Sequence, residues 1–248
     1  MRLDGQVAVV TGAAGSLGKA VTTLLTDSGA QVVGFDMTPD ADVNVDVSNL
    51  AAVEAGFAQA APDGKLDVVV NCAGILQMVS FEDTTPEVFQ QVISVNAGGT
   101  FNVLRTALPL MQRRKYGRIV TISSIAAYFG YAFPSYSASK AAVIALTKSA
   151  AVQYGHDGIT VNCVSPGRID TPMAPTSGTE LANRIPVGRG AEPEEVAQLV
   201  RFLCLREAGY VNGADIACDG GMASVFAMHG FGPYLELVRS MSALPREK

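Results

Sequence analysis

Tyr136-Ser137-Ala138-Ser139-Lys140 sets a phenol and an ammonium four residues apart, and on a helix positions i and i+4 share a face. A cation held beside a tyrosine favours the phenolate, so the phenol can give and take a proton nearer neutral pH than its free value of ~10 allows. General acid/base catalysis needs such a group. The same spacing also suits an ordinary amphipathic helix start, so the pair acquires chemical meaning only if the chain supplies a cofactor and a hydroxyl partner. Ser123 and Ser124, at the end of a strand expected over residues 117–122, can supply the hydroxyl.

The elements that must position these groups alternate between β-branched runs and helical spacing. Residues 6–11, with Val7-Ala8-Val9-Val10 at their centre, suit a strand buried on both faces of a parallel sheet. Thr11-Gly12-Ala13-Ala14-Gly15-Ser16-Leu17-Gly18 follows and leads into helical spacing through Leu24 and Leu25. Glycines between a strand and a helix let the backbone approach a pyrophosphate, whose charge the helix N-terminus stabilises; Gly12, Gly15, Ser16, Leu17 and Gly18 are the candidates. Residues 31–36 read as a second strand ending in Asp36, about 20 residues beyond the turn, where dinucleotide-binding proteins place a ribose ligand. Asp36 alone would pass for a solvated strand-end carboxylate. After these glycines, and with Met37 and Thr38 rather than an arginine beside it, it favours NAD over NADP. Val43-Asn44-Val45 comes so soon afterwards that a loop, not a crossover helix, must join the second and third strands.

Further along, Ser48 is expected to N-cap a helix through Ala60. Residues 66–71 form another buried strand running into Cys72-Ala73-Gly74, where small side chains leave room for an adenosine at the carboxyl edge of the sheet. Thr85-Pro86-Glu87 opens a helical region that continues past Asn96 and Gly98-Gly99 towards Arg114. Asn96, amid apolar neighbours, reads either as a satisfied core amide or as part of a proton relay. Residues 143–154 complete the helix begun near Tyr136, residues 159–162 open a sixth strand, Pro193-Glu194-Glu195 start an amphipathic helix through Leu203, and residues 214–218 form the last strand. The expected fold is α/β: a single doubly wound Rossmann-type domain, with a largely parallel seven-stranded sheet, helices on both faces and ligands at its carboxyl edge.

The 248 residues carry 18 Lys plus Arg against 23 Asp plus Glu, a net charge of -5 without a basic stripe, which argues against nucleic acid as a partner. The apolar runs are too short and too often broken to span a bilayer, and Met1-Arg2-Leu3-Asp4-Gly5 lacks a signal-peptide layout, so a cytoplasmic protein is expected. Cys72, Cys163, Cys204 and Cys218 lack disulfide or metal-ligand spacing and read as reduced core residues. His156 and His229 also lack ligand spacing; neither a metal site nor catalysis is assigned to them.

Taken together, these pieces resemble the short-chain dehydrogenase/reductase family over approximately residues 3–223: Thr11-Gly12 with Gly18, Asp46, Asn71 with Ala73-Gly74, Asn96, Ser124, Tyr136 with Lys140, Pro166-Gly167 with Thr171, and Asp219-Gly220-Gly221. The resemblance implies an NAD-binding and catalytic domain over residues 1–223 and a C-terminal tail over residues 224–248. It implies Tyr136 as general acid/base, Lys140 as the group that lowers its pKa and holds the nicotinamide ribose, Ser124 as hydrogen-bond donor to the substrate oxygen, and Asn96 as positioning a relay water. Gly12, Leu17 and Gly18 would lie under the pyrophosphate. Asp46 and Val47 would meet adenine, Asn71, Ala73 and Gly74 the adenosine side, and Ile169 and Thr171, after Pro166-Gly167, the carboxamide and phosphates. A homotetramer is implied as well.

This chain has Ser16 where the family's turn has glycine, with Gly15 one place early. Ser124 keeps register with the preceding strand, whereas Ser123 fits the family's usual distance to Tyr136, so both serines stay open. The segment between Thr171 and Pro186 is short for a substrate lid and the tail is long; Phe226, Phe231 and Tyr234 are expected to help close a pocket, in this subunit or a neighbour. Tyr128, Phe129, Tyr131 and Phe133 cluster near the expected pocket mouth, and Gln77 follows the Gly74 turn. Gln77, Ser124, Tyr128, Tyr131 and Tyr136 are the substrate-pocket candidates, favouring an apolar or cyclic alcohol over a sugar or highly charged acid, although the aromatics equally suit subunit packing. The expected activity is NAD-dependent interconversion of a secondary alcohol and a ketone. Alternatives are dihydrodiol oxidation to an aromatic product and a catalytically idle NAD-binding module, against which the intact Ser, Tyr and Lys speak.

Overall fold

Strand formation follows the β-branched runs. The computed structural model describes residues 2–129, 133–170 and 185–224. Within them β1 (Val7–Thr11), β2 (Gln31–Asp36), β3 (Val43–Asn44), β4 (Val68–Asn71), β5 (Gly117–Ile122), β6 (Ile159–Pro166) and β7 (Asp215–Cys218) make one sheet in the order β3-β2-β1-β4-β5-β6-β7. Every neighbouring pair is parallel. Side chains alternate between two apolar layers. Val9, Val69, Ile119 and Val161 enter the layer that contains Leu104, Met111 and Ala150; Ala8, Val10, Val68, Val70, Val120 and Val164 pack with Val21, Leu25, Val196 and Val200. Burial on both faces explains why the central strands are continuously apolar, each valine contributing about 1.5–3 kcal/mol relative to exposure.

The helices are α1 (Ser16–Asp27), α2 (Leu50–Ala60), α3 (Pro86–Ile93), α4 (Gly99–Arg114), α5 (Pro134–Tyr154) and α6 (Pro193–Cys204). A π-helical turn, Ser94–Gly98, joins α3 to α4 without breaking the rod. Strands β2 and β3 are joined by a loop as expected, and β6 runs on to Pro166. The expected cap of α2 is corrected: Asn49, not Ser48, accepts the N–H groups of Ala51 and Ala52, because the Ser48 hydroxyl is spent donating to Asp46 Oδ1 at 2.7 Å. Among the described residues no helix is long and apolar enough to cross a membrane.

The chain runs outward from β1 to β3 and then returns to lay β4 on the other side of β1. The connections leaving β1 and β4 therefore diverge and open a crevice at the carboxyl edge. Backbone contacts there are close. Gly12 has φ 65°, and a Cβ on it would lie 2.8 Å from the nitrogen of Ala73; a Cβ on Gly18 would lie 2.0 Å from the carbonyl oxygen of Gly12. Alanine at position 18 gains about 1 kcal/mol of helix propensity, which this overlap outweighs. Gly18→Ala is expected to lower unfolding free energy by about 2–3 kcal/mol in urea denaturation; an unchanged midpoint would contradict the close approach.

Candidate active site

Pro134 occupies the first turn of α5, where its missing N–H costs nothing, so Tyr136 stands in that turn and Lys140 one turn later. Lys140 is only 4% exposed. Its Nζ donates to the carbonyl of Ile122, at the end of β5, over 2.9 Å and lies 5.7 Å from the centroid of the Tyr136 ring. Burial pulls the ammonium down to about 8. Cys163 and Cys72 would oppose this as thiolates, but burial pushes them up to about 11 and about 12, so near neutral pH they carry no compensating charge.

The two serines have different surroundings. Ser123 is buried, and its hydroxyl donates to the carbonyl of Lys140 at 2.7 Å, stitching the end of β5 to α5. Ser124, with extended backbone, accepts the N–H of Ala126 at 3.1 Å and lines the cleft beside Tyr136. Both serines border the cleft, but the Ser123 hydroxyl is committed to the carbonyl of Lys140, whereas that of Ser124 only accepts.

Asn96 sits in the π-helical turn, 1% exposed. Its Nδ2 donates to the carbonyl of Ile75 and to Ser139 Oγ, each at 2.9 Å, while Oδ1 accepts the N–H of Ile75 at 2.8 Å. Ser139 in turn donates to the carbonyl of Tyr136 at 2.8 Å. The side chain is therefore a satisfied core amide that pins the Gly74–Ile75 loop to α5. A Cβ on Gly74 would meet Asn96 Oδ1 at 3.1 Å and Lys140 Nζ at 3.2 Å, so the missing side chain lets those groups converge.

Asn71, expected beside adenosine, is instead buried between Thr11 and Thr100. Thr11 Oγ1 accepts from the nitrogen of Ala73 at 3.1 Å and donates to Asn71 Oδ1 at 2.6 Å; Asn71 Nδ2 donates to Thr100 Oγ1 at 2.8 Å, which donates to the carbonyl of Asn96 at 2.7 Å. Its polar ends are consumed in this chain, so it supports the turn rather than facing the cleft. Tyr128 is a second correction. It is absent from the wall of the cleft; burial, with Asp215 adding to it and Ser165 opposing, pushes the phenol up to about 12. Gln77 is half-buried and likewise absent from the cleft wall. Tyr131, Thr171, the segment that follows Thr171, Phe226, Phe231, Tyr234 and His229 lie outside the described residues.

Two clefts meet at Gly74 and Ile75. One, of about 510 Å³, is lined by Gly12, Asp36, Asp46, Val47 and Ala73 among others. Here α1 starts from Gly15 without a side-chain cap, leaving the first-turn N–H groups around Ser16 and Leu17 for an anion; Ser16 is exposed, so its hydroxymethyl points no bulk into the core. Asp36 accepts the N–H groups of Ala14 (3.0 Å), Met37 (2.7 Å) and Thr38 (3.3 Å), which hold its carboxylate beside the glycine turn. An anion cradle next to a fixed carboxylate fits a dinucleotide. The other cleft, about 330 Å³, brings together Ser124, Tyr136, Lys140, Pro166, Gly167 and Ile169, with Arg168, Met222 and an aliphatic wall. The four cysteines are free, and among the described residues no His/Cys/Asp/Glu group could hold a metal.

Several residues escaped the sequence reading. Thr100 lies four residues after Asn96, a spacing that could have flagged it; Thr11 and Ser139 carry no such sign, because their partners come from distant strands and helices. Arg168 stands inside the Pro166-Gly167 to Ile169 stretch and was passed over for its neighbours.

A family model described as Enoyl-(Acyl carrier protein) reductase matches residues 12–223. The chain is a short-chain dehydrogenase/reductase. It is 37% identical to 3-oxoacyl-(acyl-carrier-protein) reductase FabG of Thermotoga maritima over 90% of this chain and 99% of the relative. It is 39% identical to cis-4-hydroxycyclohexanecarboxylate dehydrogenase of Sinomonas cyclohexanicum over 89% of this chain and 97% of the relative. The crystal structure of levodione reductase superposes with a TM-score of 0.84 at 29% identity, covering 91% of this chain and 100% of that one. The protein therefore belongs to an oxidoreductase family that uses a nicotinamide cofactor.

Lys140 titrates at about 8 when folded against 10.5 when unfolded. Between those values the unfolded chain binds more protons, so stability rises with pH. Wild type is expected to gain on the order of 3 kcal/mol relative to Lys140→Met between pH 8 and 10.5, read as the difference in urea unfolding free energies; a pH-independent difference would contradict the buried ammonium.

Proposed function

We propose that this short-chain dehydrogenase/reductase is an NAD-dependent enzyme interconverting a secondary alcohol and a ketone on an apolar, cyclic substrate. The observation that carries this reading is the convergence of Ser124, Tyr136 and Lys140 on one cleft that adjoins the dinucleotide-shaped one. When bound, the nicotinamide supplies the acceptor or donor of hydride. Tyr136 removes the proton of the substrate hydroxyl during oxidation and returns it during reduction, while Ser124 donates to the substrate oxygen and steadies its developing charge. Lys140 stabilises the phenolate by its charge, and Asn96, its amide spent on Ile75 and Ser139, holds the surrounding loop and α5 in register rather than positioning a relay water. Gly12, Gly15, Ser16, Leu17 and Gly18 hold the pyrophosphate; Asp46, Val47, Ala73 and Gly74 flank the adenosine; Pro166, Gly167 and Ile169 shape the nicotinamide end.

NAD is favoured over NADP because Asp36 would face a 2′-phosphate and neither the turn of residues 12–18 nor Met37 and Thr38 supplies a cation. A cyclic substrate is supported by the aliphatic wall of the cleft and by the relative whose name specifies a cyclohexane alcohol. The homotetramer belongs to the same reading, and the exposure of Phe101 on α4 and Val152 on α5 supports a contact between these helices and a second copy.

Tyr136→Phe is expected to lose at least about 100-fold in kcat while NADH affinity, by calorimetry, stays within a few fold; retained turnover with cyclic secondary alcohols would sink the acid/base assignment. Asp36→Ala is expected to shift the NAD/NADP ratio of kcat/KM at least about tenfold towards NADP, the scale of one charged contact. An unchanged ratio would remove Asp36 from cofactor choice.

A further inference from the structure

The chain after Gly74 carries apolar surface out of the cleft. Residues 74–80 run without helix or turn, and their exposure alternates: Gly74, Leu76, Met78 and Ser80 are exposed, whereas Ile75, Gln77 and Val79 are half-buried. In an extended chain alternate side chains share a face. Leu76 lines the cleft with Ser124 and Tyr136, so Met78 continues that wall outward, roughly 7 Å further along. The two are 50% and 73% exposed. At the inner end of this strip Asn96 holds both the N–H and the carbonyl of Ile75. A polar turn closes the outer end, where Ser80 Oγ donates to Asp83 Oδ2 and Thr84 Oγ1 to the carbonyl of Ser80, each at 2.6 Å.

Two side chains offer far less than the area, on the order of 1,000 Å², that a stable protein contact buries, but they suit a small hydrocarbon group. The cleft itself, about 330 Å³, stands at the small end for ligand sites, and on the dehydrogenase reading a nicotinamide ring shares it. A ligand that outgrows the remaining space can leave along Leu76. Met222, on the turn after β7, adds a second thioether to the cleft wall; Asp219 sets that turn by accepting the N–H groups of Gly221 and Ala223. Unbranched thioethers fit groups of varied shape. Beyond Met78 stand the exposed Glu82 and Asp83, so an anionic end on the emerging group would meet like charge.

We propose, on the dehydrogenase reading of this cleft, that Leu76 and Met78 form a subsite for an uncharged hydrocarbon arm, and that the substrate is a cyclic secondary alcohol, or its ketone, bearing an alkyl group or second ring beyond the ring that reacts. Met78 is the specificity-determining residue for that arm, which itself undergoes no chemical change.

The probes are cyclohexanol and its 4-methyl, 4-ethyl and 4-butyl derivatives as substrates, with phenol and 4-butylphenol, which carry no carbinol hydrogen, as ligands of the NADH-loaded protein in calorimetry. Along the alcohol series kcat/KM is expected to rise about two- to fourfold per methylene. Met78→Ser should lower the ratio of the 4-butyl to the unsubstituted alcohol at least about threefold, and Met78→Leu should preserve it; general damage to the fold would slow every alcohol alike and leave the ratio unmoved. A flat wild-type series or a ratio indifferent to Met78→Ser would overturn the proposal. So would a Met78→Ser effect seen only in assembly mass by light scattering, which would give the strip to a second copy of the chain. Silence with every alcohol would count against the dehydrogenase reading instead. For the subsite to stand in that case, 4-butylphenol must still bind wild type more tightly than phenol does, and more tightly than it binds the Met78→Ser variant.

Discussion

A buried ammonium held by neutral groups governs the carboxyl edge of this sheet. Taking Lys140 out of water costs several kcal/mol. What offsets that cost are neutral groups: the carbonyl of Ile122 and the ring of Tyr136. Among the described residues no carboxylate pairs with it. This has a chemical consequence, because a carboxylate in contact would cancel much of the field that the ammonium exerts on the phenol. A neutral cage keeps that field directed at Tyr136. The need for such a cage explains the crowding of small or uncharged groups around Lys140, from Gly74 to the Ser123 hydroxyl that holds its own carbonyl.

The cage is held by side-chain hydrogen bonds that cross between elements. One chain runs from the nitrogen of Ala73 through Thr11, Asn71 and Thr100 to the carbonyl of Asn96; another runs from Ile75 through the Asn96 amide and Ser139 to the carbonyl of Tyr136. They meet at the π-helical turn between α3 and α4, where the wider backbone brings one asparagine to both. The glycine turn after β1 is thereby linked to the residues that bear the chemistry. In so dry a region an orphaned member would cost about 1–3 kcal/mol, so the network favours a single arrangement.

Adjacent residues of similar chemistry received different fates from packing. Ser123 and Ser124 lie on opposite sides of an extended backbone; α5 packs over one and takes its hydroxyl, leaving the other at the cleft. Ser48 and Asn49 were equivalent caps by type until Asp46 engaged the serine. Tyr128 stood in an aromatic run that pointed to the pocket, yet it is absent from the cleft wall and sits on the side of Ser165 and Asp215. Residue type and spacing predict local geometry; the fate of Ser123 turns on Lys140, 17 residues away, and that of Ser48 on which of its near neighbours wins the hydroxyl.

The sequence by itself determined the βα alternation, the glycine turn that opens α1, the carboxylate at the end of β2, and the Tyr136–Lys140 pair on one helical face. Each depends on contacts within a few residues or on a backbone conformation that the residue type imposes. Only the tertiary structure decided which serine spends its hydroxyl on the scaffold, that Asn71 and Asn96 spend their amides there, and that Arg168 shares a cleft with Tyr136. The physical reason is that a polar group's availability depends on what else reaches it once the strands assemble, and a periodic pattern carries no record of hydrogen bonds formed between elements distant in the chain.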